Sequence, residues 1–178
     1  MKLRSVIERV VQTTLFLYAG FKRCAVEYVD LESLPYFQEC SKVVRPLGYA
    51  LVELHVSRQA GGVQVRAVIA GPDAVGIDDC AAVHRVLQAR LSSLLDARDL
   101  SMEVTSPGVG RKLKNAGEFA VFTGRPVRVW YIPAADWVSG CIVSSGPESV
   151  VLSGADGEKE YRYTEIAKAK LADGSGNP

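Results

Sequence analysis

The spacing of apolar residues predicts a helix over residues 33–47. Apolar side chains recur there every three or four positions, which places them on one face of a helix. Ser33 is the candidate N-cap, because its hydroxyl can accept a hydrogen bond from a free backbone amide. Pro46 and Gly48 mark the end, since proline cannot continue a helix and glycine suits a left-handed cap.

Two alternating segments after this helix predict a β-hairpin. Apolar and polar residues alternate over residues 51–57 and again over residues 63–70, as in strands with one buried face. Val52, Leu54 and Val56 are expected to share the same face of the first strand. The glycines within residues 59–62 allow a tight connection between the two strands.

A longer apolar stripe, over residues 80–94, predicts a second helix. Asp78 is the predicted N-cap, and Asp79 adds negative charge to the first turn, where the helix dipole favours it. Alternation over residues 101–105 then predicts a third strand. Together these elements predict an N-terminal α/β sandwich, with the helices packed on one three-stranded sheet.

The pattern changes after residue 119 to short alternating runs that are typical of an all-β domain. Five strands are predicted, over residues 126–132, 137–144, 149–152, 158–163 and 167–171. Ala155-Asp156-Gly157 supplies a hairpin turn. These short strands favour a small closed barrel of the SH3 or Sm type, because closure hides the sheet edges. The predicted fold class is therefore α+β, an α/β sandwich followed by a small β-barrel.

A Pro-Gly turn followed by basic residues joins the two predicted domains. The candidate site for a partner protein or rRNA consists of Ser106, Pro107, Gly108, Arg111, Lys112, Lys114, Arg125 and Arg128. A rigid turn can present cations at little ordering cost, although the same charges also fit an ordinary solvated surface. Trp130, Tyr131 and Trp137 offer rings on which bases can stack, while packing in the core or at its rim is their commoner role.

The chain divides into five predicted segments. They are an extension over residues 1–30, the α/β domain over 31–106, a joint over 107–118, the barrel over 119–172 and a disordered tail over 173–178. The extension is either an accessory amphipathic helix or the product of a start codon assigned too far upstream. Polar residues interrupt its apolar run, so neither a secretory signal nor a membrane span is expected.

Composition limits the kinds of chemistry that the chain can support. Lys and Arg total 21 against 20 Asp and Glu, so any contact with RNA must be local. The four cysteines form no CxxC pair, which argues against a zinc or disulfide scaffold and favours a reducing cytoplasm. Cys80 and His84 lie four apart on one helix face, but two ligands make a poor metal site. Phosphate-loop and hydrolase motifs are missing, so we predict no catalytic residue, metal or cofactor.

Five stretches of the chain, taken in order, resemble the ribosome maturation factor RimP family. They are Gly48-Tyr-Ala-Leu-Val-Glu-Leu, Val75-Gly-Ile-Asp-Asp-Cys, Met102-Glu-Val-Thr-Ser-Pro-Gly-Val-Gly-Arg-Lys-Leu, Phe122-Thr-Gly-Arg-Pro-Val-Arg-Val and Ile166-Ala-Lys-Ala-Lys-Leu. Each stretch alone is weak, and their order and spacing make the match specific. At the joint, Gly110 and Lys112 stand where the family usually has Asp and Pro, whereas Arg111 and the Ser-Pro-Gly turn match.

The resemblance implies a non-enzymatic factor that binds the small ribosomal subunit during its maturation. It implies an SH3-like barrel that contacts a small-subunit ribosomal protein, number twelve, and a joint that makes a supporting rRNA contact. A monomer with no membrane partner is expected.

Two other functions remain open at this stage. One is a generic Sm-like RNA-binding module, which would show a steep salt dependence from many phosphate contacts. The other is a hydrolase or transferase, which would need His55 or His84 as a general base.

Overall fold

The computed structural model describes residues 26–59, 62–97, 99–108 and 110–172, and it forms an α+β protein with two sheets. The predicted extension and tail lie almost entirely outside these residues. The N-terminal elements are α1 (Phe37–Val44), β1 (Ala50–Gln59), β2 (Gly62–Ala70), α2 (Ile77–Leu95) and β3 (Leu100–Thr105). The C-terminal elements are β4 (Lys112–Leu113), α3 (Glu118–Val121), β5 (Pro126–Tyr131), β6 (Asp136–Ser145), β7 (Ser149–Gly154), β8 (Gly157–Arg162) and β9 (Ile166–Leu171).

The N-terminal sheet has the order β1-β2-β3 and carries both longer helices on one face. The strands β1 and β2 form the predicted antiparallel hairpin, and β2 runs parallel to β3 because α2 crosses over between them. Apolar residues of α1 and α2 pack on alternate residues of β2, such as Val65, Ala67 and Ile69. The predicted α/β sandwich is confirmed.

The start of α1 differs from the prediction. Ser33 ends a separate 3-10 turn, Leu31–Ser33, and the α-helix begins only after Tyr36, which has a left-handed backbone with φ of 64°. The interruption arises because Pro35 disfavours helical angles at Leu34. The end is nearer the expectation, since a 3-10 turn continues the helix to Leu47 and Gly48 caps it with φ of 86°.

The N-cap of α2 is Gly76, and Asp78 is not the cap. The carboxylate of Asp79 turns back and accepts a hydrogen bond of 2.8 Å from the Gly76 N–H. It also accepts one of 2.5 Å from the Tyr49 hydroxyl. The helix therefore starts two residues earlier than predicted, because the acid in its first turn caps it from within.

A β-bulge in β1 changes which residues face the C-terminal domain. The register shifts between Leu51 and Glu53, so that Glu53 lies opposite Val68. Val52 and Val68 belong to the apolar cluster of the C-terminal domain, whereas Leu54 packs with the helices. The expectation that Val52 shares a face with Leu54 is wrong, because strict alternation cannot anticipate an inserted residue.

The C-terminal sheet has six strands in the order β4-β9-β5-β6-β7-β8. All five predicted strands are present, and β4 is an additional one. Among the described residues β4 and β8 do not pair with each other, so the closed barrel is not formed. The edge strand β8 carries Glu158, Lys159 and Glu160, and charged side chains on an edge oppose unwanted pairing without closure.

The two domains share an apolar interface. Val52 and Val68, from the free face of the N-terminal sheet, cluster with Phe119 and Phe122 of the C-terminal domain. Residues 26–30 also pack on the C-terminal domain, where the Val26 N–H donates to the Ile166 carbonyl over 2.9 Å. Within the described part of the chain, no helix is both long and apolar enough to cross a membrane.

Candidate partner-binding surface

Arg111 connects the two domains through two carboxylates. Its Nη2 lies 3.0 Å from Oε2 of Glu53 in β1 and 2.9 Å from Oε2 of Glu118 in α3. Lys114 adds a further contact, with Nζ 3.0 Å from Oε1 of Glu53. The bulge in β1 is what turns Glu53 toward these cations. We call the group formed by Glu53, Arg111, Lys114 and Glu118 the interdomain ion cluster.

The side chains of the interdomain ion cluster differ in how deeply they are buried. The side chains of Arg111 and Glu118 are 10% and 3% exposed, whereas that of Lys114 is 65% exposed. Desolvation raises the pKa of Glu118, and the charge of Arg111 offsets part of that rise. Desolvation also pushes the pKa of Glu53 upward, but hydrogen bonds from Lys114 and Arg111 outweigh it and hold the pKa below its ordinary value. The predicted site residues Arg111 and Lys114 are thus engaged within the protein.

Four other predicted residues line a cleft between the domains. Ser106, Pro107 and Gly108 form one side, and Arg125 lies on the other. The cleft has a volume of about 770 Å³ and is bordered by residues of both domains. The segment that follows β3 and the residue that precedes β5 therefore border the same concave surface.

Lys112 and Arg128, the last two predicted residues, lie on the outer face of the C-terminal sheet. Lys112 is opposite Lys170 in the pairing of β4 with β9, and Lys170 is opposite Arg128 in the pairing of β9 with β5. The neighbouring residues Leu113, Ala169 and Val129 point inward and are buried. We call Lys112, Lys170 and Arg128 the cation row.

The chain's two tryptophans lie beside the cation row. Trp130 and Trp137 are opposite each other in β5 and β6, with ring centroids 5.7 Å apart in an edge-to-face arrangement. The Arg128 guanidinium lies 5.6 Å from the Trp137 ring centroid, and the Lys170 ammonium lies 5.3 Å from it. Cation–π attraction holds these two cations in place on the surface.

The described residues contain no group of three or more His, Cys, Asp or Glu side chains placed to hold a metal ion. Cys80 is half-buried, and desolvation raises the pKa of its thiol. A raised pKa disfavours the thiolate form that binds metals and acts as a nucleophile.

Comparison with known proteins finds a similarity to one family. A family model described as the RimP N-terminal domain matches residues 39–110. A protein from Borrelia hermsii named Ribosome maturation factor RimP is 28% identical over 126 residues, which cover 71% of this chain and 86% of that relative. The chain is similar to the RimP family. The family model covers the N-terminal sheet, Glu53 included, and ends at Gly110, one residue before Arg111.

Sequence reasoning missed several residues of this protein that the geometry brings forward. Glu53 and Glu118 were not recognised as partners of Arg111, because they lie 58 and 7 residues away and only folding joins them. Lys168 and Lys170 were also missed. Their signal was present, since alternate lysines in a strand must project from one face of the sheet.

Proposed function

We propose that this chain is a ribosome maturation factor that binds the small ribosomal subunit and assists its assembly without catalysis. Similarity to the RimP family carries the proposal, because the Borrelia hermsii relative is named a ribosome maturation factor. Its partners are the rRNA and ribosomal protein number twelve of that subunit. The cytoplasm, where the subunit is available, is its proposed location.

The two-domain geometry supports a factor that acts by binding. The domains share apolar contacts through Val52 and Val68, and the interdomain ion cluster adds polar contacts at the edge of that interface. A surface held in advance in its binding shape loses less entropy when it meets a partner. The cleft with Ser106, Pro107, Gly108 and Arg125 and the outer sheet face with Lys112 and Arg128 are the proposed contact regions.

Binding alone can direct assembly when it discriminates between two states of the particle. A factor that binds the immature subunit more tightly stabilises that state, and it leaves when maturation removes its site. The interdomain ion cluster contributes by fixing the relative position of the contact regions. Arg111 and Lys114 thus support the surface from within.

The test is sedimentation of the purified protein with isolated small subunits, large subunits and assembled ribosomes. Selective sedimentation with free small subunits is the expected result. No binding to small subunits, or a preference for large ones, would contradict the proposal. Equal binding to all three would instead favour a generic RNA binder.

The generic Sm-like RNA-binding module remains the second candidate, and the cation row favours it. Three cations beside two aromatic rings, outside the ion pairs of the described residues, can bind RNA that has no connection with a ribosome. The salt dependence separates the two candidates. A generic binder loses affinity steeply as salt rises, whereas a factor that also contacts protein loses it less steeply.

A further inference from the structure

The cation row is electrostatically unfavourable in the isolated protein. Lys112, Lys170 and Arg128 lie side by side on three neighbouring strands, in register. Like charges directly opposite each other in a sheet are destabilising. Among the ion pairs of the described residues, none includes any of these three side chains. A bound anion would relieve the repulsion that the sheet itself leaves in place.

A second row, parallel to the first, is aromatic. Lys168 lies opposite Trp130, and Trp130 lies opposite Trp137. Both tryptophans are half-buried, so their rings are fixed while part of each remains at the surface. Farther along, the same outer face carries Glu158, Glu160 and Arg162 of β8. The face therefore has a basic, aromatic side and a side of mixed charge.

We propose that the outer face of β4, β9, β5 and β6 binds a single-stranded RNA segment. The phosphates contact Lys112, Lys170, Arg128 and Lys168, and a base stacks on the tryptophan pair. Adjacent strands lie about 4.8 Å apart, so the cation row spans roughly 10 Å. That length matches about three nucleotides of a stacked strand, at roughly 3.4 Å each.

The aromatic row is what selects RNA over an acidic peptide. Cations alone attract any polyanion, but a peptide of Glu and Asp has no aromatic ring to stack on indole rings. Nucleic acid bases do have one, and an unpaired base exposes its face to stacking. Double-stranded RNA presents its phosphates while its bases remain stacked inside the helix. The combination of both rows therefore fits an unpaired strand.

This inference rests on the proposed function for its setting, since the small-subunit rRNA supplies the unpaired strand. It adds a location that the candidate joint residues do not give. We therefore place the rRNA contact on the C-terminal sheet and not at the turn of Ser106, Pro107 and Gly108. The cleft between the domains remains for protein contact.

The test uses the intrinsic fluorescence of the full chain, because both of its tryptophans lie in the proposed site. The protein is titrated with an oligouridylate of about twelve nucleotides, a length within the range of small single-strand sites. Matched titrations use an RNA duplex and a polyglutamate of equal charge. We expect saturable quenching by the single strand, with at least tenfold weaker binding of the other two.

Charge-reversal variants locate the contact. The double variant Arg128→Glu/Lys170→Glu is expected to lower the affinity for oligouridylate at least tenfold. It should also reduce the salt slope by about 1.4, since each contact contributes about 0.7. The control is Arg58→Glu/Arg85→Glu, which makes the same charge change at exposed N-terminal-domain residues that take part in none of the ion pairs among the described residues. The single variant Lys112→Glu gives a second readout in case the double variant fails to fold.

Several outcomes would overturn the inference: equal losses in the two double variants, equal binding of duplex or polyglutamate, or no change in fluorescence. Sedimentation with small subunits is run on the same samples. If the wild type sediments with small subunits but ignores oligouridylate, the RNA-binding face is wrong and the proposed function stands. If it binds oligouridylate but not small subunits, the proposed function is wrong.

Discussion

Arg111 and Glu118 form an ion pair that is largely shielded from water, and this changes the role that we assign to Arg111. The sequence singled it out as a cation on a rigid turn, which suggested a partner contact. The structure places its guanidinium within 3.0 Å of carboxylates from both domains. A charge-reversal at Arg111 would therefore disturb the domain interface as well as any binding, so it does not test binding cleanly.

We expect Arg111→Ala to destabilise the protein strongly. The change leaves the carboxylate of Glu118, which is 3% exposed, without its cation. Removing one partner of a buried ion pair costs about 3–5 kcal/mol. Urea unfolding measures the loss, with Arg85→Ala as the control, since Arg85 is exposed on α2 and should change stability by less than about 0.5 kcal/mol. Equal, small effects of both substitutions would show that the interdomain ion cluster is not stabilising.

Lys112→Glu is expected to change stability and RNA binding in opposite directions. The new carboxylate would lie opposite Lys170, so a like-charge pair becomes an attractive one. The expected gain is about 0.5 kcal/mol, or roughly 1–2 °C in Tm for a chain of this size. Binding of oligouridylate should weaken, because one cation of the row is lost. A loss of stability would contradict the predicted repulsion between Lys112 and Lys170. Unchanged binding would show that Lys112 does not contact the RNA.

The elements of the protein were largely predictable from periodicity. The strands β1, β2 and β3 and all five long strands of the C-terminal sheet follow local alternation, a property that is visible in the sequence. The bulge at Val52 and Glu53 was not predictable, since an extra residue in one strand is defined only against its partner. The two-residue strand β4 was also missed, because it is too short to show a period.

Helix starts were less predictable than helix bodies. Asp78 and Asp79 both suit the first turn of α2, and the sequence favoured the first of them as the cap. In the structure the carboxylate that caps the helix is that of Asp79, which accepts hydrogen bonds from the Gly76 N–H and the Tyr49 hydroxyl. The Tyr49 contact comes from a residue 30 positions away, which local pattern cannot reveal.

Asp79→Ala should therefore lower stability more than Asp78→Ala. We expect a difference of roughly 2–4 °C in Tm, because Asp79 satisfies two donors. Hydrogen bonds from Tyr49 and Gly76 hold the pKa of Asp79 below its ordinary value. The difference should be present above about pH 4 and vanish as the pH falls through that lowered pKa, where the carboxylate becomes protonated. A larger effect of Asp78→Ala would restore the original assignment of the cap.

At the scale of the whole molecule, both faces of the N-terminal sheet are covered, and one of them forms the domain interface. One face holds α1 and α2, and the other contacts the C-terminal domain through Val52 and Val68. The sequence predicted two domains and a joint between them. It did not predict their contact, because the residues involved come from different elements.

We expect the two domains to unfold together. Tryptophan fluorescence reports only on the C-terminal sheet, where Trp130 and Trp137 lie, whereas helical circular dichroism reports mainly on α1 and α2 of the N-terminal domain. The two probes should give coincident urea transitions if the shared interface couples the domains. Two separate midpoints in the wild type would show that the interface contributes little.

We propose that this protein acts by discriminating between states of the small subunit. The most direct measurement compares its affinity for immature small subunits, isolated before their late proteins join, with its affinity for mature small subunits. We predict binding to the immature particle that is tighter by about tenfold or more, since only differential affinity can shift an assembly equilibrium. Equal affinity for both particles would contradict it.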